Sequence, residues 1–168
     1  MGLIRYEWTS RNRELQNTSL FASATQVSNL TLENVTFKGK NHVGALGGIN
    51  ISVSNCEVIG TSVISGNNYV GGLVGSNDFT RSYNEDVSAY LKLTDVRIGA
   101  SCTVSGKNYV GGIVGGCITT DYWGGGMSLS SSMMLMESAT SEATVTGTED
   151  YVGGIFGKLG GSIYGNSN

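Results

Sequence analysis

The chain has 168 residues, a net charge of −3 and a charged fraction of only 14%, well below the quarter usual in globular domains. The charge argues against a nucleic-acid partner, because phosphate contacts need a basic patch and no cluster of lysine or arginine occurs. No apolar run approaches the roughly 18 residues of a membrane span.

Residues 1–27 read as an N-terminal cap, with Arg5, Glu7, Arg11, Arg13 and Glu14 forming a polar outer face. The opening Met1–Tyr6 lacks the apolar core of a signal peptide. The expectation is therefore a piece of a longer exported chain, or export by another route.

From residue 28 onward the chain repeats itself. His42-Val43-Gly44-Ala45-Leu46-Gly47-Gly48 is followed by Tyr69-Val70-Gly71-Gly72-Leu73-Val74-Gly75, by Tyr109-Val110-Gly111-Gly112-Ile113-Val114-Gly115 and by Tyr151-Val152-Gly153-Gly154-Ile155-Phe156-Gly157. The self-similarity reaches further back. Val53-Ser54-Asn55-Cys56-Glu57-Val58 aligns with Leu93-Thr94-Asp95-Val96-Arg97-Ile98, and Val63-Ile64-Ser65-Gly66 with Thr103-Val104-Ser105-Gly106 and Thr144-Val145-Thr146-Gly147. In the first copy Thr36-Phe37-Lys38-Gly39 fills that slot. Short β-branched strands joined by polar turns account for every unit, and nothing has helical periodicity. A unit of this kind buries its apolar face only against its neighbours, so the copies stack.

The signature valines are spaced 27 (43 to 70), 40 (70 to 110) and 42 (110 to 152) residues apart. The minimal coil is thus 27 residues, with insertions near 76–89 and 116–132, and three strands of about five residues each fill it. The fold expected is all-β, a parallel β-solenoid of about four to five rungs with inserted loops. Two shorter coils per repeat is the alternative. The absence of proline among 168 residues fits a stack whose strands all donate to a ladder. Strict alternation sends the signature valine and the Leu/Ile three residues later to opposite faces. A bend at the Gly-Gly pair turns both inward. Ala45 and Gly47 weaken the pattern in the first copy, where a cap or an irregular rung is expected.

Cys56, Cys102 and Cys117 form an odd set without metal-ligand spacing. Cys56 aligns with Val96 and Cys102 with Ser62, positions of small buried residues. His42, the single histidine, replaces the signature tyrosine and reads as a surface substitution. Four N-x-[ST] sequons, at Asn17, Asn29, Asn34 and Asn50, are near chance for this composition.

The Y-V-G-G-[LI]-V-G element, preceded by a Val-x-Gly strand, resembles the GLUG motif of bacterial surface and secreted proteins, including haemagglutinin-like adhesins and the non-catalytic part of immunoglobulin A peptidases. The resemblance covers residues 28–161, so that 28–168 is expected to form GLUG-like repeats. It implies a parallel β-solenoid on a cell-surface or secreted protein, with an extracellular or cell-surface location and no catalytic residue; no cofactor or metal is expected.

Function then rests on what decorates the stack. The inserted segments Ser76–Asp86 and Cys117–Gly126 interrupt the repeat near the same point and set aromatics beside carboxylates, a chemistry suited to glycans. Phe79, Tyr83, Tyr122 and Trp123 are the candidate ligand contacts; the competing reading folds these rings back over the solenoid flank. Met127 and the run Met133–Met136 read as core filler. The main reading is a non-enzymatic structural or adhesive module that contacts a glycan or a host-surface protein. One alternative is a fibre subunit that stacks head-to-tail through its C-terminal rung. The other is a polysaccharide-active β-helix enzyme using Asp78, Arg81, Glu85 and Asp86, although no carboxylate pair recurs on successive rungs.

Overall fold

The computed structural model describes residues 3–4, 16–21, 24–49, 51–81, 91–121 and 134–160. Within these residues the chain is all-β. A short strand, β1 (Leu3–Ile4), precedes four successive rungs. The first consists of β2 (Gln26–Glu33), β3 (Thr36–Lys38), β4 (Asn41–Val43) and β5 (Gly47–Ile49). The second repeats the order with β6 (Ser52–Ile59), β7 (Val63–Ser65), β8 (Asn68–Gly71) and β9 (Val74–Arg81), and the third with β10 (Leu91–Ile98), β11 (Thr103–Gly106), β12 (Asn108–Gly111) and β13 (Val114–Asp121). In the fourth the long strand is split into β14 (Met134–Met136) and β15 (Ala139–Ser141), followed by β16 (Thr144–Gly147), β17 (Val152–Gly153) and β18 (Phe156–Leu159).

Every pairing between rungs is parallel, and equivalent strands form four sheets that run the length of the stack. The fold is therefore a parallel β-solenoid with one coil per repeat. Each coil has four strands rather than the three expected, because the signature itself supplies two, one on either side of its glycines.

Register follows the sequence alignment residue by residue. Val53 pairs with Leu93, Cys56 with Val96 and Val58 with Ile98; Ile64 pairs with Val104 and Val104 with Val145. Like side chains consequently stack into columns down the core. Val43, Val70 and Val110 form one and Leu46, Leu73 and Ile113 another, all fully buried. A third runs through Val35, Ser62 and Cys102, which explains why small residues occupy those positions. All three cysteines are buried, and none forms a disulfide.

The signature valine and the Leu/Ile after it do both point inward, and the chain bends between β8 and β9 and between β12 and β13. The glycines at this corner are required by crowding. A Cβ on Gly71 would run into the Val74 carbonyl oxygen and the Gly115 amide nitrogen, and one on Gly72 into the Gly112 carbonyl oxygen. The left-handed residue of the corner is instead the aromatic just before the valine, with φ of 51° at His42, 55° at Tyr69, 56° at Tyr109 and 64° at Tyr151.

The first rung is regular, contrary to expectation. Ala45 and Leu46 are fully buried, and Ile51 packs into the space that the side chain missing at Gly47 leaves open. Residues 16–21 lie against this rung's N-terminal edge, with Thr18 bridged to Val43 and Phe21 to Gly47.

If burial depends on stacking, Val110→Asp places an unpaired carboxylate between two valines of its column and should lose at least about 3 kcal/mol in urea unfolding. Thr148→Asp, in an exposed turn, should stay within about 0.5 kcal/mol of wild type. Equal effects would contradict the stacked core.

Candidate functional site

Because the signature valine points inward and the preceding residue is left-handed, the aromatic at that position lies on the outside of the coil. One aromatic per rung in strict register produces a column of rings. His42 stacks on Tyr69 with centroids 4.9 Å apart and planes inclined by 6°. Tyr69 stacks on Tyr109 at 4.5 Å and 8°, and Tyr109 on Tyr151 at 5.0 Å and 13°. These distances match the strand spacing of about 4.8 Å, so the backbone ladder sets the ring spacing. The Lys158 ammonium lies 5.1 Å from the ring centroids of both Tyr109 and Tyr151, within cation–π range.

His42 is thus the first ring of this ladder and not merely a surface substitution. Its Nδ1 lies 2.7 Å from Ser76 Oγ. The aromatic position was visible in all four copies, but a left-handed tyrosine is uncommon and the sequence reading did not infer stacking from it.

An amide ladder runs beside the rings, one residue earlier in each of the first three coils. Asn68 Nδ2 donates to Asn41 Oδ1 at 2.9 Å and Asn108 Nδ2 to Asn68 Oδ1 at 3.2 Å. Asn41 Nδ2 donates to Gln16 Oε1 at 2.8 Å, which ties residue 16 to the first rung.

A second left-handed column bends the long sheet formed by β2, β6 and β10. In β10 Leu91, Leu93, Val96 and Ile98 face inward, and two successive outward residues, Thr94 and Asp95, interrupt the alternation. Asn29, Asn55 and Asp95 take φ of 57°, 49° and 50° at this bend. The concave outer face holds a cleft of about 420 Å³. The Asn29–Asn55–Asp95 column lines one side and Thr31, Glu57 and Arg97 the other.

Most polar groups of the cleft satisfy each other. Asn55 Nδ2 donates to Asn29 Oδ1 at 2.7 Å and Thr31 Oγ1 to Glu57 Oε1 at 3.1 Å. Arg97 reaches Glu142 at 2.8 Å and Glu57 at 3.8 Å, joining three rungs. The guanidinium is half-exposed, and such a pair contributes no more than about 1 kcal/mol. Cys56 also lines the cleft; burial pushes its thiol above the ordinary value, against smaller opposing contributions from backbone contacts with Leu30 and Ser54. The arrangement holds rungs in register and leaves amide and carboxylate edges facing solvent.

The inserted segments begin later than the sequence suggested. Ser76, Asn77 and Cys117 are buried, and β9 and β13 stay paired through Ile118 with Asp78, Thr119 with Phe79, Thr120 with Thr80 and Asp121 with Arg81. The excursions therefore start beyond Arg81 and Asp121. Phe79 is placed on the shared extension of these strands, while Tyr83, Tyr122 and Trp123 lie outside the described residues, as do Glu85 and Asp86. Among the described residues no group of three or more His, Cys, Asp or Glu is placed to hold a metal ion, and no helix is long and apolar enough to cross a membrane.

No protein-family model matches the chain, and comparison with curated proteins and with solved structures returns no match.

Tyr109 contacts rings on both sides, and each aromatic pair contributes about 0.5–1.5 kcal/mol beyond its burial. Tyr109→Ala should therefore lose roughly 1–3 kcal/mol in urea unfolding, and the near-ultraviolet circular dichroism of the folded protein should fall by more than one tyrosine's share. A loss below about 0.5 kcal/mol would show that the ladder is only a consequence of the backbone.

Proposed function

We propose that the chain is a non-enzymatic extracellular module of GLUG-like repeats, structural and adhesive in character, which presents its two inserted segments as a joint contact surface for a glycan or a host-surface protein. The observation that carries this reading is the extended pairing of β9 with β13, in register out to Arg81 and Asp121. Segments that leave adjacent strands of one sheet start about 4.8 Å apart, so one ligand can reach both. The rest of the coil supplies rigidity, since core columns, amide ladder and ring ladder all fix one rung against the next. Recognition groups on loops held by a rigid scaffold are a recurrent arrangement in binding proteins.

Roles divide by residue type. Phe79, Tyr83, Tyr122 and Trp123 supply ring faces for apolar sugar surfaces or hydrophobic side chains, while Asp78, Glu85, Asp86 and Asp121 accept hydrogen bonds from hydroxyls. The GLUG-like character rests on the four signature copies quoted above.

The test replaces Tyr83, Tyr122 and Trp123 together with alanine and measures binding to an array of host-type glycans and to intact host cells. The expected result is at least a tenfold loss of affinity, about 1.4 kcal/mol, with Tm unchanged. Unchanged binding would remove the insertions from recognition, and a collapsed Tm would place the rings in the core.

A further inference from the structure

The exposed large hydrophobic side chains are distributed unevenly. Along the flanks of the solenoid the described residues show none. Four belong to the last rung: Met136 at 46% exposure, Tyr151 at 52%, Val152 at 45% and Leu159 at 51%. The fifth, Phe21 at 38%, sits on the opposite end. Val152, Leu159 and Met136 occupy columns that are buried lower in the stack, where Val110, Cys117 and Leu93 are their partners in register. Tyr151 has one face on Tyr109 and closes no further described stack. The upper surface of the fourth rung is thus the same kind of surface that three lower rungs each present to a successor.

The other end of the molecule carries a segment already in the register of such a successor. Thr18 bridges to Val43 and Phe21 to Gly47, while Leu20 donates its amide to the Ala45 carbonyl. That places Asn17 in the aromatic column, Thr18 in the valine column, Leu20 in the Leu/Ile column and Phe21 in the column that ends at Phe156. Placed on the last rung of another molecule, the same segment would set Asn17 over Tyr151, Thr18 over Val152, Leu20 over Ile155 and Phe21 over Phe156.

We infer that the C-terminal rung binds the N-terminal edge of a second copy of this chain, head to tail, continuing the core columns and the outer ladders across the junction. The contact is heterologous, joining two different surfaces, and each added copy presents a fresh C-terminal rung. Among the described residues no strand pairs with the outer edge of the last rung, and a strand edge of this kind is a template for such pairing. This goes beyond adhesion through the insertions and does not depend on it.

The test is sedimentation velocity of the full chain from about 10 μM to about 1 mM, which detects contacts of millimolar affinity and tighter. Wild type should show a sedimentation coefficient that rises with concentration. Val152→Lys blocks one end and Phe21→Lys the other; both sites are partly exposed, so Tm should hold, and Leu159→Lys provides a second block of the C-terminal end. Each variant alone should remain monomeric, yet Phe21→Lys mixed with Val152→Lys should form one-to-one heterodimers, since each retains the end that the other lacks. A wild type monomeric throughout would overturn the inference. So would single variants that still associate, or a mixture that stays monomeric, which would point to a different or isologous face.

Discussion

No rung of this protein can bury its own apolar side chains. A coil of four short strands encloses only one layer of residues, and Val110 is sealed not by its own coil alone but by Val70 on one side and Val152 on the other. Everything else follows from that dependence. Neighbours must stack in register, so each interior position has to suit the positions above and below it, and a change in one rung propagates to two more. The absence of proline fits the ladder, because every strand of the second and third rungs pairs on both sides and a proline there would remove a donor. The same constraint orders the outside, where residues with no core role fall into columns and find like partners at the strand spacing.

The corners carry the local strain. Eight non-glycine residues have positive φ among the described residues, three of them tyrosines, and a left-handed conformation costs an L-residue roughly 1–2 kcal/mol. Where the residue is asparagine, its own amide offsets the cost. Asn29 accepts from Asn55, and Asn34 Oδ1 accepts from the Thr61 amide at 2.8 Å. Where it is Tyr69 or Tyr109, ring stacking on both sides does so, and Tyr151 stacks on one side, against Tyr109. Strain that would be unfavourable in a single coil becomes tolerable when repeated, because repetition creates the contacts that offset it.

Much of this was legible in the sequence. The pairing of Val53–Val58 with Leu93–Ile98, obtained by aligning repeats, is the hydrogen-bond register itself, because in a stacked solenoid an alignment of repeats and a map of contacts contain the same information. The inward turn of both valine and leucine was also recoverable from their invariance. Other features were hidden. The fourth strand per coil was missed because three and four residues are too few to show alternation. The bends at Asn55 and Asp95 shift that alternation by one residue, which a pattern of period two cannot reveal. Ser76 and Cys117 were assigned to loops because they lie past the signature, although the ladder carries them on into the core. The first rung looked defective at Gly47 because Ile51, which fills the space, lies in the linker to the next rung. The candidate contacts Tyr83, Tyr122 and Trp123 remain a reading of composition, supported by the shared origin of their segments on β9 and β13.

Register is the property on which the core, the ladders, the common origin of the insertions and the proposed junction between copies all rest, and cysteine cross-linking measures it directly. Ser65 and Ser105 are partners on adjacent rungs, with Cα atoms about 4.8 Å apart, inside the window of about 4.4–6.8 Å that a disulfide spans. Ser65 and Thr103 are displaced by two residues, roughly 8 Å apart, and outside it. The three native cysteines are buried and contribute little background. In the Ser65→Cys, Ser105→Cys double variant mild oxidation should form an intramolecular disulfide nearly quantitatively, whereas Ser65→Cys with Thr103→Cys should leave both thiols free. Equal yields, or preferential bridging of the displaced pair, would contradict the in-register stack.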